Sequence, residues 1–572
     1  MDRTAWIAVA LCVIGLVLWE IYLVKQTPPR SAPVGVAPGQ SSPTAAPAIL
    51  APSPTPVAEA TPSSRESVPS FAEKIETLRN SDVELHLTNR GGGIKEAVLL
   101  KQVAEKGKPV ILNSDKSAPI GALIEQPSSP TLAEFTASPE SDSAIRFEST
   151  TPEQVVIRKK FFFEKSPENK DNYVIEMDDD LENRGDTPYQ SGGYFVSLGS
   201  AAPIHPKDYP SYTRLVWCID GRAKGIDVGW FGSSSGFLGV GQRAARPYYQ
   251  ENIAGAEWVA VSNQFFTTLM APLTGKATGV WGRHFDIEHA PDQKLLAIDG
   301  ALGMPGFQLQ PGQTYNARFE IYAGPKLYHR LAQLPHNEAE VMDFGMFKIV
   351  CQLLLNFMNL LHSWLHDYGL AILALTTIIK LALWPIQNKA NRSMRQMAAL
   401  SPKIQELRDK HKDDPTRMNQ EVMKLYKQYG INPVGGCLPM MIQIPIFFGL
   451  FKMLGQAVEL RNAKFLWVKD LSQPDTVAHL PLLGWPINII PLCMAATQVW
   501  LMAMTPKTGD PTQRRIAMFM PLIFLFICYN FAAALALYYT AQNLFSILQF
   551  YQNRRQPMPT LEKVAPAGKR KR

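Results

Sequence analysis

Charge is scarce in this sequence. Asp, Glu, Lys and Arg make up 19% of its 572 residues, whereas an ordinary soluble protein has about 25%. Apolar residues are concentrated in one short N-terminal run and in roughly the last 230 residues. This distribution argues against a single soluble domain and predicts a membrane protein with a separate water-soluble part.

Motifs of catalysis and metal binding are also scarce. The six cysteines include no CxxC pair, which excludes a disulfide framework or a zinc site of that type. No Walker A or dinucleotide fingerprint occurs. The segment 232–236 fits GxSxG without a strand–turn–helix context, and His362 and His366 lack the glutamate of a zincin. We therefore expect no enzyme, no cofactor and no metal.

The N-terminal region reads as an anchor and a linker. Residues 5–24 form about 20 mostly apolar residues, enough to cross a bilayer. A cleaved signal peptide is the alternative, but Lys25 and a Pro-Pro pair follow where small residues would be needed for cleavage. Residues 1–25 are thus predicted as a transmembrane anchor, and the Pro/Ala/Ser-rich stretch 26–77 as a semi-extended linker.

Residues 78–325 have the pattern of an all-β sandwich. Apolar residues alternate, as at Val83, Leu85 and Leu87, and Gly/Asn/Asp/Pro clusters such as 89–93 separate the alternating runs. Short strands divided by turn signals are typical of a sandwich. The acidic run 178–180 with Glu182 is expected to form a solvated turn.

From residue 326 onward the pattern is helical. Residues 326–367 are predicted as a junction with an interfacial helix, because the apolar stretch 344–366 carries several polar side chains. Residues 368–553 are predicted as a five-helix membrane core. Its spans are expected at 368–387, 435–454, 486–504, 516–533 and 534–552, with a turn at 529–531 between the last two.

A basic segment interrupts this core. Residues 388–431 contain ten Lys or Arg and five Asp or Glu, and their apolar positions recur at helical spacing. Asp414 followed by Pro415 is a helix start, and Gly430 is a helix stop. We predict a two-helix hairpin outside the bilayer. It could rest on anionic lipid, or it could receive nascent chain or ribosomal RNA.

The positions of Lys and Arg predict the orientation. The hairpin, the 505–515 loop and the 554–572 tail are basic, whereas the 456–484 loop is balanced. Basic flanks lie in the cytoplasm. Six spans with both termini in the cytoplasm fit this pattern, and the β domain then lies on the opposite side of the membrane.

One charged residue stands inside a predicted span. Lys380 lies about twelve residues into the span at 368–387. An ionisable residue in a bilayer costs at least about 2.5–3.5 kcal/mol and marks a functional site by default. Alternatively, its amine could snorkel to the cytoplasmic headgroups. The residues themselves leave both interpretations open.

The chain resembles the YidC/Oxa/Alb family of membrane protein insertases. The junction stretches YAGPK at 322–326 and MDFG at 342–345 are similar to that family, and the order and spacing of further motifs agree along the core. These motifs are TTIIK at 376–380, WP at 384–385, LSPKI at 400–404, NPVGGCLP at 432–439, QIPIF at 443–447, MFMP at 518–521 and LYY at 537–539.

The resemblance implies a hydrophilic groove in a five-helix core of the bacterial inner membrane, with the β domain in the periplasm. It places Lys380 in this groove, where the family usually has arginine. Thr376 and Tyr539 match substrate-contacting positions, and Tyr538 and Gln443 are further groove candidates. For Thr376 a bond to its own backbone is the alternative, for the tyrosines a place in the interfacial belt, and for Gln443 helix-to-helix bonding.

The implied function is an insertase and assembly chaperone that releases hydrophobic helices of nascent membrane proteins laterally into lipid. Expected partners are the Sec translocon, the ribosome through the basic hairpin and tail, and anionic lipids. The competing hypothesis is a secondary transporter or channel that uses Lys380 as a charge site. Transporters often contain internal repeats with paired broken helices, and this sequence shows no such repeat.

Overall fold

The computed structural model describes 71–104, 107–113, 117–128, 132–163, 173–206, 208–233, 243–290, 293–411, 414–431, 438–481, 484–504 and 511–554. The predicted anchor, the linker up to residue 70, the tail from residue 555 and residues 432–437 of the NPVGGCLP motif lie outside these ranges. The first strand begins at Ile75, three residues before the boundary predicted at 78.

Within its described residues, the β domain contains twenty strands. The first ten are β1 (Ile75–Arg79), β2 (Val83–Thr88), β3 (Gly93–Val103), β4 (Pro109–Leu112), β5 (Leu123–Ile124), β6 (Thr136–Ser141), β7 (Ala144–Thr150), β8 (Val155–Phe162), β9 (Val174–Asn183) and β10 (Tyr189–Ser191). The others are β11 (Tyr194–Ala201), β12 (Arg214–Ile219), β13 (Arg222–Asp227), β14 (Tyr249–Ala256), β15 (Trp258–Ser262), β16 (Phe266–Pro272), β17 (Ala277–Ala290), β18 (Gln293–Met304), β19 (Phe307–Leu309) and β20 (Thr314–Pro325).

These strands pair antiparallel into three main sheets, which confirms the predicted all-β sandwich. The sheets have the orders β1-β2-β3-β4, β14-β17-β18-β11-β5 and β13-β12-β15-β16-β20-β9-β8-β7-β6. Val83, Leu85 and Leu87 of β2 are all buried, because alternate side chains of a strand face the same side. The predicted alternation therefore identified the core face correctly.

The expectation of a solvated acidic turn at 178–180 was wrong. These residues lie in the middle of β9, and Asp179 is fully buried opposite Lys159 of β8. The Lys159 amine donates hydrogen bonds to the carbonyls of Gly91 and Gly121. Since successive residues of a strand face opposite sides, the middle aspartate of the run points inward while its neighbours point outward.

A junction segment connects the β domain to the helices. After one helical turn at Tyr328–Leu331, the chain packs back on the β domain, where the Trp258 indole donates to the His336 carbonyl at 2.9 Å. The Arg214 guanidinium forms an ion pair with Asp343. The positive charge of Arg214 holds the pKa of the Asp343 carboxyl below its usual value, so this pair fastens the junction at neutral pH.

Loss of the Asp343 charge should weaken the junction. We expect Asp343→Asn to lower the free energy of unfolding by about 2 kcal/mol, because the half-buried Arg214 loses a charged partner. A lowered pKa stabilises the fold above about pH 4, the unfolded value, and this stabilisation disappears as the pH falls further. Urea unfolding of the full-length protein in detergent, between pH 3 and pH 7, measures both effects.

Asp186→Asn is the control for this prediction, because Asp186 is exposed in the turn after β9. It should leave both the free energy of unfolding and its acid dependence unchanged. If Asp343→Asn unfolds with the same pH profile as the wild-type protein, the Arg214–Asp343 pair does not contribute to stability.

Seven longer helices follow in the described part of the chain. They are α1 (Lys348–Leu365), α2 (Tyr368–Lys410), α3 (Pro415–Gln428), α4 (Leu438–Gln456), α5 (Ile489–Met504), α6 (Pro511–Cys528) and α7 (Ala533–Arg554). Among the described residues, two stretches, Gly345–Leu365 and Tyr368–Lys410, are long and apolar enough to cross a membrane, and Met441–Gln456, Ile489–Met504 and Phe519–Cys528 are shorter apolar stretches. The last two strands, β21 (Thr476–His479) and β22 (Pro486–Asn488), form a hairpin between α4 and α5.

Helix α1 has one buried and one exposed apolar face. On the buried side, the Cys351 thiol contacts the Gly449 carbonyl of α4 at 3.4 Å. On the other side, Ile349, Leu353 and Trp364 are 80%, 68% and 73% exposed. An amphipathic helix of this kind suits a membrane interface, although the position of α1 relative to the bilayer stays a prediction.

Helix α2 is longer than expected. The sequence separates a span ending at 387 from a hairpin beginning at 388, but one helix runs through Pro385 and Pro402 to Lys410. A proline removes one backbone hydrogen bond and need not end a helix whose neighbours compensate. The predicted ends of the second hairpin helix are confirmed: Asp414 caps the Arg417 amide at 3.0 Å, and α3 ends before Gly430.

The β domain contacts the C-terminal end of α4 and the turn between α6 and α7. The Gln264 side chain donates to the Gly455 carbonyl of α4 at 2.7 Å, and the Lys326 amine donates to Gln456 at 3.1 Å. The chain turns between Cys528 and Ala533, at the position predicted from the sequence. The ring of Phe531 in this turn packs edge-on against Tyr209, so the turn is held between the domain and the core.

Candidate functional site

Helix α7 carries polar side chains along one face. The polar positions are Tyr538, Gln542, Ser546, Gln549 and Asn553, with spacings of four, four, three and four residues. Side chains at these spacings lie above one another on a helix. In a helix that packs among apolar helices, such a stripe needs partners on the neighbouring helices.

Lys380 of α2 faces this stripe. Its ammonium donates to the Ser546 hydroxyl at 2.8 Å, and the residue is only 5% exposed. Lys380 lies twelve residues after the start of α2 and Ser546 thirteen after the start of α7, which is about 18–20 Å along each helix at 1.5 Å per residue. The amine of Lys380 thus extends sideways toward α7, at about the level where Lys380 joins α2. It does not snorkel toward the end of the helix in this structure.

No carboxylate lies within ion-pair distance of Lys380 among the residues that the structure describes. A charge removed from water is costly unless it is paired or well hydrogen-bonded. One hydroxyl compensates only part of that cost for an ammonium with three donors. The site therefore holds an incompletely paired cation, to which an acidic group would be attracted.

Thr376 lies one helical turn before Lys380. Its side chain is fully buried, and its hydroxyl donates to the Ile372 carbonyl of the same helix at 2.7 Å. This hydrogen bond to its own helix is the alternative that the sequence left open beside a role of Thr376 in the groove. In the described state, the hydroxyl of Thr376 is thus occupied by its own helix.

Gln443 joins α4 to the polar stripe. Its side-chain amide donates to the Tyr538 hydroxyl at 3.3 Å and to the Gln542 carbonyl oxygen at 3.1 Å. Tyr539 points elsewhere, and its ring packs edge-on against Phe447 of α4 and Phe524 of α6. The structure brings Lys380, Ser546, Gln542, Tyr538 and Gln443 into one connected region, since the Ser546 hydroxyl donates to the Gln542 backbone carbonyl.

The stripe continues beyond the residues predicted from the sequence. Gln549 donates to the Asn388 side chain at 2.8 Å, Asn553 donates to the same oxygen at 3.3 Å, and Arg395 donates to the Asn553 carbonyl at 2.7 Å. Sequence reasoning missed Ser546, Gln549 and Asn388. The regular spacing from Tyr538 to Asn553 was the signal that could have found the α7 members.

Comparisons with known proteins address the family directly. The model described as "60Kd inner membrane protein" matches residues 360–559, and the model described as "YidC periplasmic domain" matches residues 76–357. A membrane protein insertase YidC of Syntrophus aciditrophicus is 30% identical over 97% of this chain and 100% of its own length. The chain belongs to the YidC family of membrane protein insertases. A YidC of Nitratidesulfovibrio vulgaris (strain DP4) is also 30% identical, over 96% of this chain and 98% of its own.

One solved structure, described as an active YidC insertase with the first transmembrane domain resolved, aligns with 85% of this chain and 95% of its own. Its TM-score is 0.34 and its identity 18%, and the assignment to the family does not rest on it. YidC membership confirms an inner-membrane insertase with a periplasmic β domain and nascent membrane proteins as substrates. It gives no support to the transporter or channel hypothesis.

Proposed function

We propose that Lys380 receives acidic, extracytoplasmic segments of nascent membrane proteins on their way into the bilayer. The observation that carries this proposal is the incompletely paired ammonium between α2 and α7. An acidic side chain that meets this cation regains in Coulomb attraction part of what it loses on leaving water. The hydrophobic helix of the substrate then moves into lipid, and burial of its apolar surface supplies the driving force.

The hydrogen-bonded stripe gives this step a structural basis. Gln443, Gln542 and Ser546 supply donors and acceptors at the depth of Lys380, and the substrate backbone needs such partners while it is not yet helical. Tyr539 is proposed as an apolar contact for the substrate helix, because its ring stands among phenylalanines. Thr376 is proposed to contact substrate only after its backbone bond is released.

A series of substrate charges tests the proposal in the wild-type protein. A single-span substrate with two Asp, two Asn or two Lys in its short translocated segment is inserted into proteoliposomes, and protease protection measures the inserted fraction. We expect insertion to fall at least fivefold from Asp to Lys, because Lys380 repels a second cation. Equal insertion of all three substrates, with a protein carrying Lys380→Gln as the reference, would rule out charge attraction.

We further propose the finer topology and the partners. The predicted arrangement places both termini and the basic hairpin in the cytoplasm. Between residues 400 and 431, the described part of the hairpin carries five exposed basic side chains, Lys403, Lys410, Arg417, Lys424 and Lys427, which suits contact with anionic lipid or ribosomal RNA. Cooperation with the Sec translocon is proposed for substrates whose translocated segments are long. A variant in which all five residues are changed to Gln tests the lipid contact. If its hairpin still binds anionic vesicles, these charges do not hold it on lipid, and the lipid contact is excluded.

A further inference from the structure

The α4–α5 loop, residues 457–488, presents large apolar side chains on its surface. Five of them are exposed: Leu466 (76%), Trp467 (47%), Val477 (49%), Leu480 (42%) and Trp485 (67%). Single exposed apolar residues are common on proteins, but a group of this size on one loop marks a contact surface. The question is what covers it.

The first part of this surface is the tip of a tight turn. Phe465 and Val468 exchange backbone hydrogen bonds of 3.0 and 2.8 Å, so Leu466 and Trp467 stand at the tip. Leu466 has a φ of +52°, a left-handed conformation in which glycine or asparagine is the usual residue. A leucine and a tryptophan at such a tip indicate that it does not face water.

The second part is the hairpin of β21 and β22. It is a sheet of two strands, and no third strand pairs with it among the described residues. Val477, Ala478 and His479 of β21 are all exposed, so neither face of that strand is covered by this chain. Since an isolated two-stranded hairpin is marginally stable in water, this one needs another surface against it.

Contacts of the loop place it at the periplasmic boundary of the core. The Gln473 side chain donates to Asp208 of the β domain at 3.3 Å. The Asn488 side chain donates to the Tyr529 carbonyl, in the turn between α6 and α7, at 2.7 Å. The ring of Phe465 packs directly on Gly369, at the start of α2. The loop therefore lies beside the ends of the core helices that the β domain contacts.

The distribution of charge continues the apolar surface of α5 into the hairpin. Residues 476–506 contain no Asp, Glu, Lys or Arg, although α5 occupies only Ile489–Met504. These 16 residues span about 24 Å at 1.5 Å per residue, whereas the hydrocarbon core of a bilayer is about 30 Å thick. The uncharged hairpin directly before α5 supplies the missing apolar length.

The surroundings of the turn suit phospholipid headgroups. Lys464 and Lys469 are exposed on either side of the Leu466–Trp467 tip. Tryptophan is enriched at the level of the headgroups, and a lysine beside it can extend its amine to the phosphates. This combination favours a lipid surface over an apolar protein partner, which would leave both lysines without anions.

One carboxylate ties this surface to the core. Asp475 accepts from the Trp467 indole at 3.1 Å and from the Ile490 amide, in the first turn of α5, at 2.8 Å. Helix α5 in turn contacts α7, where the Asn543 side chain donates to the Met494 carbonyl at 3.3 Å. Asn543 lies three residues before Ser546, the partner of Lys380. The depth of Trp467 in a bilayer would therefore fix the depth of α5 and of the polar stripe.

We propose that the α4–α5 loop binds phospholipid of the periplasmic leaflet. Its turn and its hairpin enter the boundary between headgroups and acyl chains, with Trp467 and Trp485 at headgroup level. The proposal rests on the inner-membrane location of the protein and not on the charge of Lys380. The loop thus acts as a depth anchor that holds the periplasmic ends of α5 and α7 at a constant level.

Quenching of tryptophan fluorescence by brominated phospholipids tests the anchor. The full-length protein is placed in nanodiscs whose acyl chains are unbrominated, brominated near the glycerol end or brominated near the middle of the bilayer. The difference in emission between the wild-type protein and Trp485→Phe isolates the contribution of Trp485. We expect this contribution to fall at least threefold with bromine near the glycerol end, and by less with bromine near the middle.

Trp230→Phe is the matched control. Trp230 is half-buried in the β domain, where it packs edge-on against Tyr249, and its contribution should be the same in all three lipids. Both variants exchange one aromatic ring for another, and unchanged near-ultraviolet circular dichroism of the β domain shows that they are folded.

A Trp485 contribution that neither brominated lipid quenches would overturn the proposal. Iodide in the buffer then identifies the real surroundings. Quenching by iodide would show that the loop is in water, and protection from both quenchers would show that protein covers it, such as a second copy of this chain. Because no substrate is present in this assay, it is unaffected by the outcome of the substrate-charge experiment at Lys380.

Discussion

Lys380→Glu should reduce insertion of substrates with acidic translocated segments at least tenfold. The substitution replaces an attraction by a repulsion in a site that is shielded from water, where Coulomb interactions are stronger than in bulk solvent. Lys380→Arg should retain at least half of the activity, because it keeps the positive charge and adds donors that can reach Ser546. Protease protection of a substrate inserted into proteoliposomes, or rescue of growth after depletion of the native insertase, measures the effect.

The control for this prediction is Lys389→Glu. Lys389 is exposed on the same helix, nine residues further along, and the same charge reversal there should change insertion by less than twofold. A substrate with Lys in place of its acidic residues should be inserted better by Lys380→Glu than by the wild-type protein. Wild-type insertion of the acidic substrate by Lys380→Glu would eliminate the proposed role of the charge.

Lys159→Met should destabilise the β domain by about 3 kcal/mol. The variant leaves the buried carbonyls of Gly91 and Gly121 without their donor, and each such loss costs about 1–3 kcal/mol. It also leaves Asp179 without the cation opposite it on β8, and neither oxygen of that carboxylate has a hydrogen-bond partner among the described residues. Urea unfolding followed by fluorescence, with Trp217 and Trp258 as fully buried reporters in the β domain, provides the measurement.

The double variant Lys159→Met with Asp179→Leu separates the two causes. Removing both charges of a buried pair is often neutral, so the double variant should be more stable than Lys159→Met alone.

Burial raises the pKa of the Asp179 carboxyl to about 7. The folded state then holds an extra proton between about pH 4 and pH 7, and stability falls as the pH rises through this range. Asp179→Asn should remove that slope, and an unchanged slope would show that Asp179 does not titrate there.

The sequence predicted those elements whose signals are local. The alternation in β2 identified a buried strand face, Asp414 and Pro415 identified the start of α3, and the 529–531 segment identified the last turn. Local signals failed where a residue's partner is distant. Three successive aspartates suggest a turn when read alone, and only Lys159 on the neighbouring strand explains why Asp179 is inside.

The candidate site was predictable in part for the same reason. Lys380 is conspicuous because a charge in an apolar span is rare, and the family motifs add Thr376, Gln443 and the two tyrosines. Ser546 is not conspicuous, because a serine in a membrane helix often bonds only its own backbone. Its pairing with Lys380 depends on how α2 and α7 are placed side by side, which no motif encodes.

The length of α2 has a mechanical consequence. Pro385, one of its two weak points, is bracketed by the bonds of Lys380 and Asn388 to α7. Pro402 lies seven residues beyond Arg395, whose bond to Asn553 is the last of these described ties to α7. Bending is thus resisted at the first proline and permitted at the second. A bend of the hairpin would therefore pivot at Pro402, well away from Lys380, and the cation would keep its position while the hairpin moves.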